Sequence, residues 1–180
     1  MGQDTAEQAS RALRLLNDPD LRHHPQTGPQ QLTSARAANP SAPVNLDLVD
    51  YMSRTVKEVV DHTRTVNPDA GPVPQDVADI YTWCLENTPN ADEAQARYRD
   101  FVIERQRLEH AVRLGNTHEV SKHPCPRCGC WGLMWPPAGT RALCSNRNCL
   151  APDGRSSTWT LARLAAQTIQ RTEIWRRTAT

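Results

Sequence analysis

The stretch from residue 125 to residue 149 reads CPRCGCWGLMWPPAGTRALCSNRNC. It contains two pairs of cysteines, Cys125 with Cys128 and Cys144 with Cys149, and 15 residues separate the pairs. Two cysteines with about two to four residues between them can direct both thiolates at one ion, and two such pairs complete a tetrahedral shell. The spacing therefore predicts a structural Zn²⁺ site with Cys125, Cys128, Cys144 and Cys149 as its ligands.

The residues between the two pairs favour a small antiparallel sheet. Residues 131–135 and 141–143 are apolar and aromatic, and residues 136–139 (PPAG) between them are typical of a turn. A third strand is predicted at residues 156–160, after a turn at Asp153 and Gly154. So short a segment buries too little surface to fold alone, so metal binding is expected to supply folding free energy. A zinc ribbon is therefore predicted for residues 119–160.

Two further side chains leave the ligand set open. Cys130 lies two residues after Cys128, and His123 lies two residues before Cys125. Either could replace a ligand, but Cys128 already has the favoured spacing, so Cys130 is expected to be a spare thiol.

A redox Cys-x-x-Cys motif is the competing chemistry. Such a motif normally opens a helix after a strand, whereas a glycine and a tryptophan-rich hairpin follow here, which disfavours redox activity.

The chain before residue 44 divides into a helix and a linker. An amphipathic helix is predicted within residues 1–17, with Asp4 as a cap. Its apolar face carries Ala6, Ala9, Leu13 and Leu16. Residues 18–43 show no periodicity and are rich in Pro, Gln, Ser and His, so ordering them would cost backbone entropy that little burial offsets. They are predicted to form a flexible linker.

Residues 44–118 are expected to form an antiparallel helical bundle. Three helices are predicted, over residues 45–65, 74–87 and 90–115, from the apolar spacing and from caps and breakers at their ends. Asn90 and Glu93 have the spacing of a capping box at the start of the third. Cys84, on the apolar stripe of the second, is expected to be a small buried residue.

A basic helix is predicted for residues 161–180, with Thr160 as its cap. Its apolar stripe consists of Leu161, Leu164, Ala165 and Ile169. The predicted fold class is therefore mainly α with a small β zinc ribbon: an antiparallel helical bundle, the four-cysteine ribbon and a C-terminal helix.

Charge is divided unevenly along the chain. The net charge is +1, but residues 1–104 contain 9 Lys or Arg and 16 Asp or Glu, whereas residues 105–180 contain 12 and 4. A polyanionic partner for the second half, or contact between the two halves, would explain this division. The alternative is that the arginines only solvate a small surface.

Arginines interleaved with tryptophans make the ribbon and tail a candidate nucleic-acid surface, because arginine contacts phosphate and indole rings stack on bases. The candidate residues are Arg127, Trp131, Arg141, Arg147, Arg155, Arg163, Arg171, Arg176 and Arg177. In the competing interpretation, tryptophans 131, 135 and 159 form the miniature core of the ribbon.

Residues 42–50 (APVNLDLVD) together with residues 125–129 (CPRCG) resemble a group of small, poorly characterised actinobacterial phage and prophage proteins. In that group a helical region precedes a four-cysteine ribbon, and a helix-turn-helix often follows. The resemblance covers roughly residues 42 to 165. After the ribbon this sequence has one predicted helix, so a helix-turn-helix that reads DNA sequence is not expected, and contacts to DNA would be mainly to phosphates.

These patterns indicate a non-enzymatic zinc-ribbon accessory protein of a phage or mobile element, which binds nucleic acid or a nucleic-acid-processing complex. The alternative is an adaptor or inhibitor that docks on a host enzyme without touching DNA. An enzyme is disfavoured because no phosphate loop, His-Glu-x-x-His motif or nucleophile elbow is present, and a zinc with four protein ligands has no open position. Without a secretion signal or a long apolar run, a cytoplasmic location without membrane contact is expected.

Overall fold

The computed structural model describes residues 2–22, 44–137 and 139–178. The helices are α1 (Gly2–Leu16), α2 (Pro19–Arg22), α3 (Leu46–Val66), α4 (Ile80–Asn87), α5 (Glu93–Arg113), α6 (His118–Ser121) and α7 (Leu161–Thr178). The strands β1 (Leu133–Met134), β2 (Ala142–Cys144) and β3 (Thr158–Trp159) form one antiparallel sheet in that order. The predicted class, mainly α with a small cysteine-bearing β segment and a C-terminal helix, is confirmed.

The N-terminal helix buries the face that its periodicity predicts. Ala6, Ala9, Leu13 and Leu16 are each at most 2% exposed. They join side chains of α3, α4 and α5 in a first core. Cys84 is buried in the same core, as predicted. The predicted linker, residues 18–43, lies outside the described residues except for 18–22, which include α2.

Helix α5 belongs to two cores. Val102 and Ile103 lie in the first core, whereas Leu108, less than two turns further on, lies in a second core with Leu133 of β1 and Leu164 of α7. This second core also contains three of the clustered cysteines. The sequence left open whether the helical bundle contacts the ribbon segment; it does, through the C-terminal half of α5.

Helix ends follow local capping chemistry, with two corrections. Asp4, predicted to cap α1, lies in its first turn, because the helix already begins at Gly2. Asn45 and Thr160 cap α3 and α7 as predicted, through bonds of 3.2 Å from the backbone N–H groups of Leu48 and Arg163. The capping box of α5, however, is formed by Asp92 and Gln95, and not by Asn90 and Glu93. Each pair has the required spacing of three residues, so the pattern alone could not select between them.

The second predicted helix begins later than expected. A 3-10 helix occupies Val77–Asp79, where Asp76 Oδ1 accepts from the N–H of Ala78, and α4 starts only at Ile80. Proline at position 74 therefore precedes the helical region and does not open it.

His110 is fully buried between two tyrosines of other helices. Tyr81 Oη donates to Gln106 Oε1 at 2.8 Å and lies 2.7 Å from His110 Nε2, so Nε2–H must be the donor in the second contact. Tyr51 Oη, 2.7 Å from Nδ1, then donates to the remaining ring nitrogen. Every polar atom of the imidazole is thereby satisfied in the neutral form.

No helix in the described ranges is both long enough and apolar enough to cross a bilayer.

Candidate metal centre

The sheet brings the two cysteine pairs together. Leu133 of β1 lies opposite Cys144 of β2, which sets the register of the predicted hairpin, and Leu143 lies opposite Thr158 of the predicted third strand. Ser157 connects both members of the second pair, because its carbonyl accepts from Cys144 N and its N–H donates to Cys149 O, each at 3.0 Å. Cys144 and Cys149 are therefore held on one side of the module formed by residues 119–160, called here the cysteine module.

Tight turns direct each pair of thiols inward. In the first turn, the N–H of Gly129 donates to Cys125 O at 2.9 Å, and Gly129 adopts φ +71°, a conformation that glycine accepts without strain. In the second turn, Asn146 accepts from Cys149 N through its carbonyl and from Asn148 N through its side chain, both at 2.9 Å. Backbone hydrogen bonds within each turn, with the Asn146 side chain in the second, thus position the thiols.

The four thiols have the spacing of a tetrahedral metal site. The sulfur atoms of Cys125, Cys128, Cys144 and Cys149 all lie within 4.8 Å of one another. Cys125 Sγ is 3.8 Å from Cys149 Sγ, and Cys128 Sγ is 3.7 Å from Cys144 Sγ. Zinc–sulfur bonds of about 2.3 Å in a tetrahedron require sulfur–sulfur distances of about 3.8 Å. These four residues can therefore hold a metal ion.

The electrostatics of the cluster also favour a cation. Hydrogen bonding from the backbone and side chain of Cys130 lowers the pKa of Cys128 to about 6, whereas burial raises the pKa of Cys144. Cys125, Cys144 and Cys149 are buried, so thiolates there would be poorly hydrated and would repel one another. A bound divalent cation offsets both effects and permits all four thiols to ionise.

Cys130 and His123, the two side chains that could replace a cysteine ligand, occupy different places relative to the cluster. Cys130 Sγ lies 3.2 Å from Cys128 Sγ and 3.5 Å from Cys144 Sγ, so it contacts the cluster but does not belong to the group of four mutually close sulfurs. His123 faces away from the cluster, with Nδ1 3.1 Å from Thr168 Oγ1. These positions favour Cys130 as a spare thiol and His123 as a contact to α7.

Two arginines of the predicted basic surface form hydrogen bonds or ion pairs within the protein. Arg127 donates to the carbonyl of Leu150 and to Ser157 Oγ, within the cysteine module. Arg177 Nη2 lies 3.0 Å from Glu93 Oε1, which joins the end of α7 to the start of α5. Neither guanidinium is fully available to a partner.

Other basic residues also pair with acidic ones, which accounts for part of the uneven charge. Arg105 binds Glu58 of α3, and Arg107 binds Glu104 and Glu119 at 2.7 to 3.0 Å. Contact between the acidic and basic parts of the sequence, one of the two explanations offered above, therefore occurs.

The remaining predicted residues are exposed. Arg141, Arg147, Arg163 and Arg176 form no ion pair with any residue of the described segments, and Arg155 is within 4.0 Å of Asp153 at a highly exposed position. Trp131 is 64% exposed, with the guanidinium carbon of Arg171 6.0 Å from its ring centroid.

The tryptophans do not all have the same role. Trp135 and Trp159 pack against the second core, as the miniature-core interpretation requires, whereas Trp131 does not. The sequence analysis missed Trp175, which is 71% exposed near the end of α7. It lies eleven positions after Leu164, on the continuation of the predicted apolar stripe, so no local pattern signalled that it would be exposed.

Comparison of the chain with models of protein families, with curated proteins and with solved structures finds no match. The resemblance to phage and prophage proteins stays a prediction, and function must be inferred from the chemistry of the site.

Proposed function

We propose that this chain is a non-enzymatic nucleic-acid-binding protein whose cysteine module is stabilised by one structural zinc ion. The observation that carries the proposal is the tetrahedral spacing of four thiols beside a set of exposed arginines without acidic partners in the described segments. The location of the protein in the cytoplasm follows as an expectation from reduced cysteines.

Zinc fits the donor set better than other biological cations. Thiolates are soft ligands, and four of them in a tetrahedron are typical of zinc or of iron–sulfur centres, not of calcium or magnesium. Four protein ligands leave no position for water or substrate, so the ion would hold the fold and would not catalyse a reaction.

The exposed arginines supply the interface. Arg141 precedes β2, Arg147 lies between the second pair of cysteines, and Arg163 and Arg171 lie on α7. Two of these positions are within the cysteine module, so their placement depends on the metal. Guanidinium groups bind phosphate oxygens without reading sequence, which predicts strongly salt-dependent binding with little sequence preference.

The test is fluorescence anisotropy with labelled duplex and single-stranded DNA across a salt series, beside metal analysis of the same sample. One zinc per chain is expected, and the logarithm of the affinity should fall linearly with the logarithm of salt concentration. The double variant Arg141→Gln, Arg147→Gln should reduce this slope by about 1 to 2, since each lost phosphate contact contributes roughly 0.7 to 0.9.

Arg54→Gln, Arg64→Gln is the matched control, because it removes the same charge from exposed positions on α3. Equal losses in both double variants would contradict a localised interface. Iron in place of zinc would contradict the metal assignment.

An adaptor that docks on another protein is the second candidate. A groove between α5 and α7 is lined by Tyr98, Phe101, Ile169 and Ile174, and two of these, Tyr98 and Ile174, are about half exposed. Zinc at one per chain without nucleic-acid binding would favour this candidate.

A further inference from the structure

Two exposed tryptophans are associated with one arginine of α7: Trp131 lies against Arg171, and Trp175 follows Arg171 by four positions. We propose that Trp131, Arg171 and Trp175 form a stacking platform for single-stranded nucleic acid. The inference rests on the proposed function and specifies its ligand: a strand with unpaired bases, in preference to a duplex.

The platform lies on a face of α7 that is buried in the N-terminal half of the helix and exposed in its C-terminal half. Leu164, Arg171 and Trp175 are separated by seven and four residues, so they lie on the same side of the helix. Leu164 is fully buried in the second core against the module, whereas Trp175 is 71% exposed. The first half of this face is thus covered by the cysteine module, and the second half extends beyond it into solvent.

Trp131 reaches the same place from the module. It precedes β1, is 64% exposed, and has its ring centroid 6.0 Å from the guanidinium carbon of Arg171. Trp175 follows Arg171 by about one helical turn, or roughly 6 Å along the axis. One indole beside the Arg171 cation, and a second one helical turn further along α7, supply stacking faces next to a phosphate-binding group, the combination used to bind single strands.

The core does not require these two side chains. Trp135 and Trp159 pack against the second core and provide its aromatic contacts. Trp131 and Trp175 leave most of their large apolar surface in water, which is unfavourable in the isolated protein. Covering both rings on binding would remove that cost.

Single strands fit this surface better than duplexes do. In a duplex each base is stacked between its neighbours and offers only its edge, whereas an unpaired base offers a flat face to an indole ring. Arg171 can neutralise the intervening phosphate or stack on a base itself.

The experiment measures binding of the full zinc-loaded chain to oligothymidylate, oligouridylate, an abasic strand of equal length and a duplex. The wild-type protein should bind at least one of the two pyrimidine strands more tightly than the abasic strand and the duplex. Trp131→Ala and Trp175→Ala should each weaken binding to that strand by about five- to a hundredfold, with an unchanged salt slope. Arg171→Gln should lower the slope.

Leu46→Ala is the control, because it removes an apolar side chain that is 68% exposed at the start of α3, away from the residues proposed to bind. It should bind like the wild type. Zinc content and far-UV circular dichroism of each variant test whether folding is retained.

The possible failures are distinguishable. If the protein binds duplex, abasic and pyrimidine strands equally and the tryptophan variants bind normally, the platform is wrong while nucleic-acid binding stands. If no nucleic acid binds, both proposals fail. If the tryptophan variants instead lose binding to anionic phospholipid vesicles only, the platform is a lipid-binding surface and the inference is overturned.

Discussion

Arg107 on α5 donates to Glu119 on α6, with 2.7 Å between Nη1 and Oε2. The same guanidinium donates from Nε and Nη2 to the two carboxylate oxygens of Glu104, at 2.9 and 3.0 Å. All three side chains are at least four-fifths buried. A single arginine therefore ties the helical bundle to the first residues of the cysteine module.

Arg107→Met should destabilise the protein by about 3 to 5 kcal/mol, because it leaves the buried carboxylate of Glu104 without its partner. Chemical denaturation measured by circular dichroism would give this value. Lys57→Met, which breaks an exposed pair with Asp61, should change stability little. If Arg107→Met lost no more stability than this control, the triad would not connect the two parts energetically.

Cys144→Ser should abolish stoichiometric zinc binding, since the oxygen of serine is a poor substitute for a thiolate. Loss of the module also uncovers Leu108 on α5, so hydrogen exchange should increase in the C-terminal half of α5 as well as in residues 119–160. Cys130→Ser is the control and should retain one zinc per chain. Retention of zinc by Cys144→Ser and its loss from Cys130→Ser would show that Cys130 is a ligand.

Gly132→Ala should destabilise the cysteine module by about 2 to 3 kcal/mol, because position 132 has φ +116° and an added Cβ would lie 2.7 Å from Ser145 Oγ. Gly115→Ala serves as the comparison and should destabilise the protein less. Position 115 has φ +78° and open space around it, so only about 1 to 2 kcal/mol is expected there. Urea unfolding followed by tryptophan fluorescence can rank the two, and the opposite order would contradict this account of residue 132.

Stability should decrease as the pH falls from 7 to 5, because burial, aided by Arg113 and Arg105, lowers the pKa of His110 to about 3. The unfolded chain binds a proton at a pKa of about 6.5 while the folded chain does not, so the unfolded state gains about 2 kcal/mol at pH 5. This loss of stability is absent above the pKa of His110 in the unfolded chain, and it grows as the pH falls towards the pKa of His110 in the folded chain.

His110→Gln should be less stable at pH 7 but should show a shallower loss between pH 7 and 5. Tyr51→Phe is the matched control: it removes the bond to Nδ1, costs about 1 to 3 kcal/mol, and leaves the titrating imidazole in place. Thermal unfolding of the three proteins across this pH range makes the comparison. Parallel pH profiles for the wild type and His110→Gln would show that His110 is not responsible.

Local chemistry was the part of this structure that sequence could predict. The spacing of Cys125 and Cys128 on one turn, the cap at Thr160 and the buried face of α1 all depend on residues a few positions apart. No local pattern indicates a partner for His110, because its two tyrosines lie 59 and 29 residues away. The exposed position of Trp175 depends in the same way on where the cysteine module ends along α7, which no local pattern states.

Helix α5 also constrains how this chain can have evolved. Val102 and Leu108 belong to different cores although only five residues lie between them. A recombination event that joined the cysteine module to a different helical domain would have to carry the second half of α5 with it, together with Arg107. Gene exchange that kept both parts folded would therefore break the coding sequence before α1 or after α7, and would transfer the two cores as one unit.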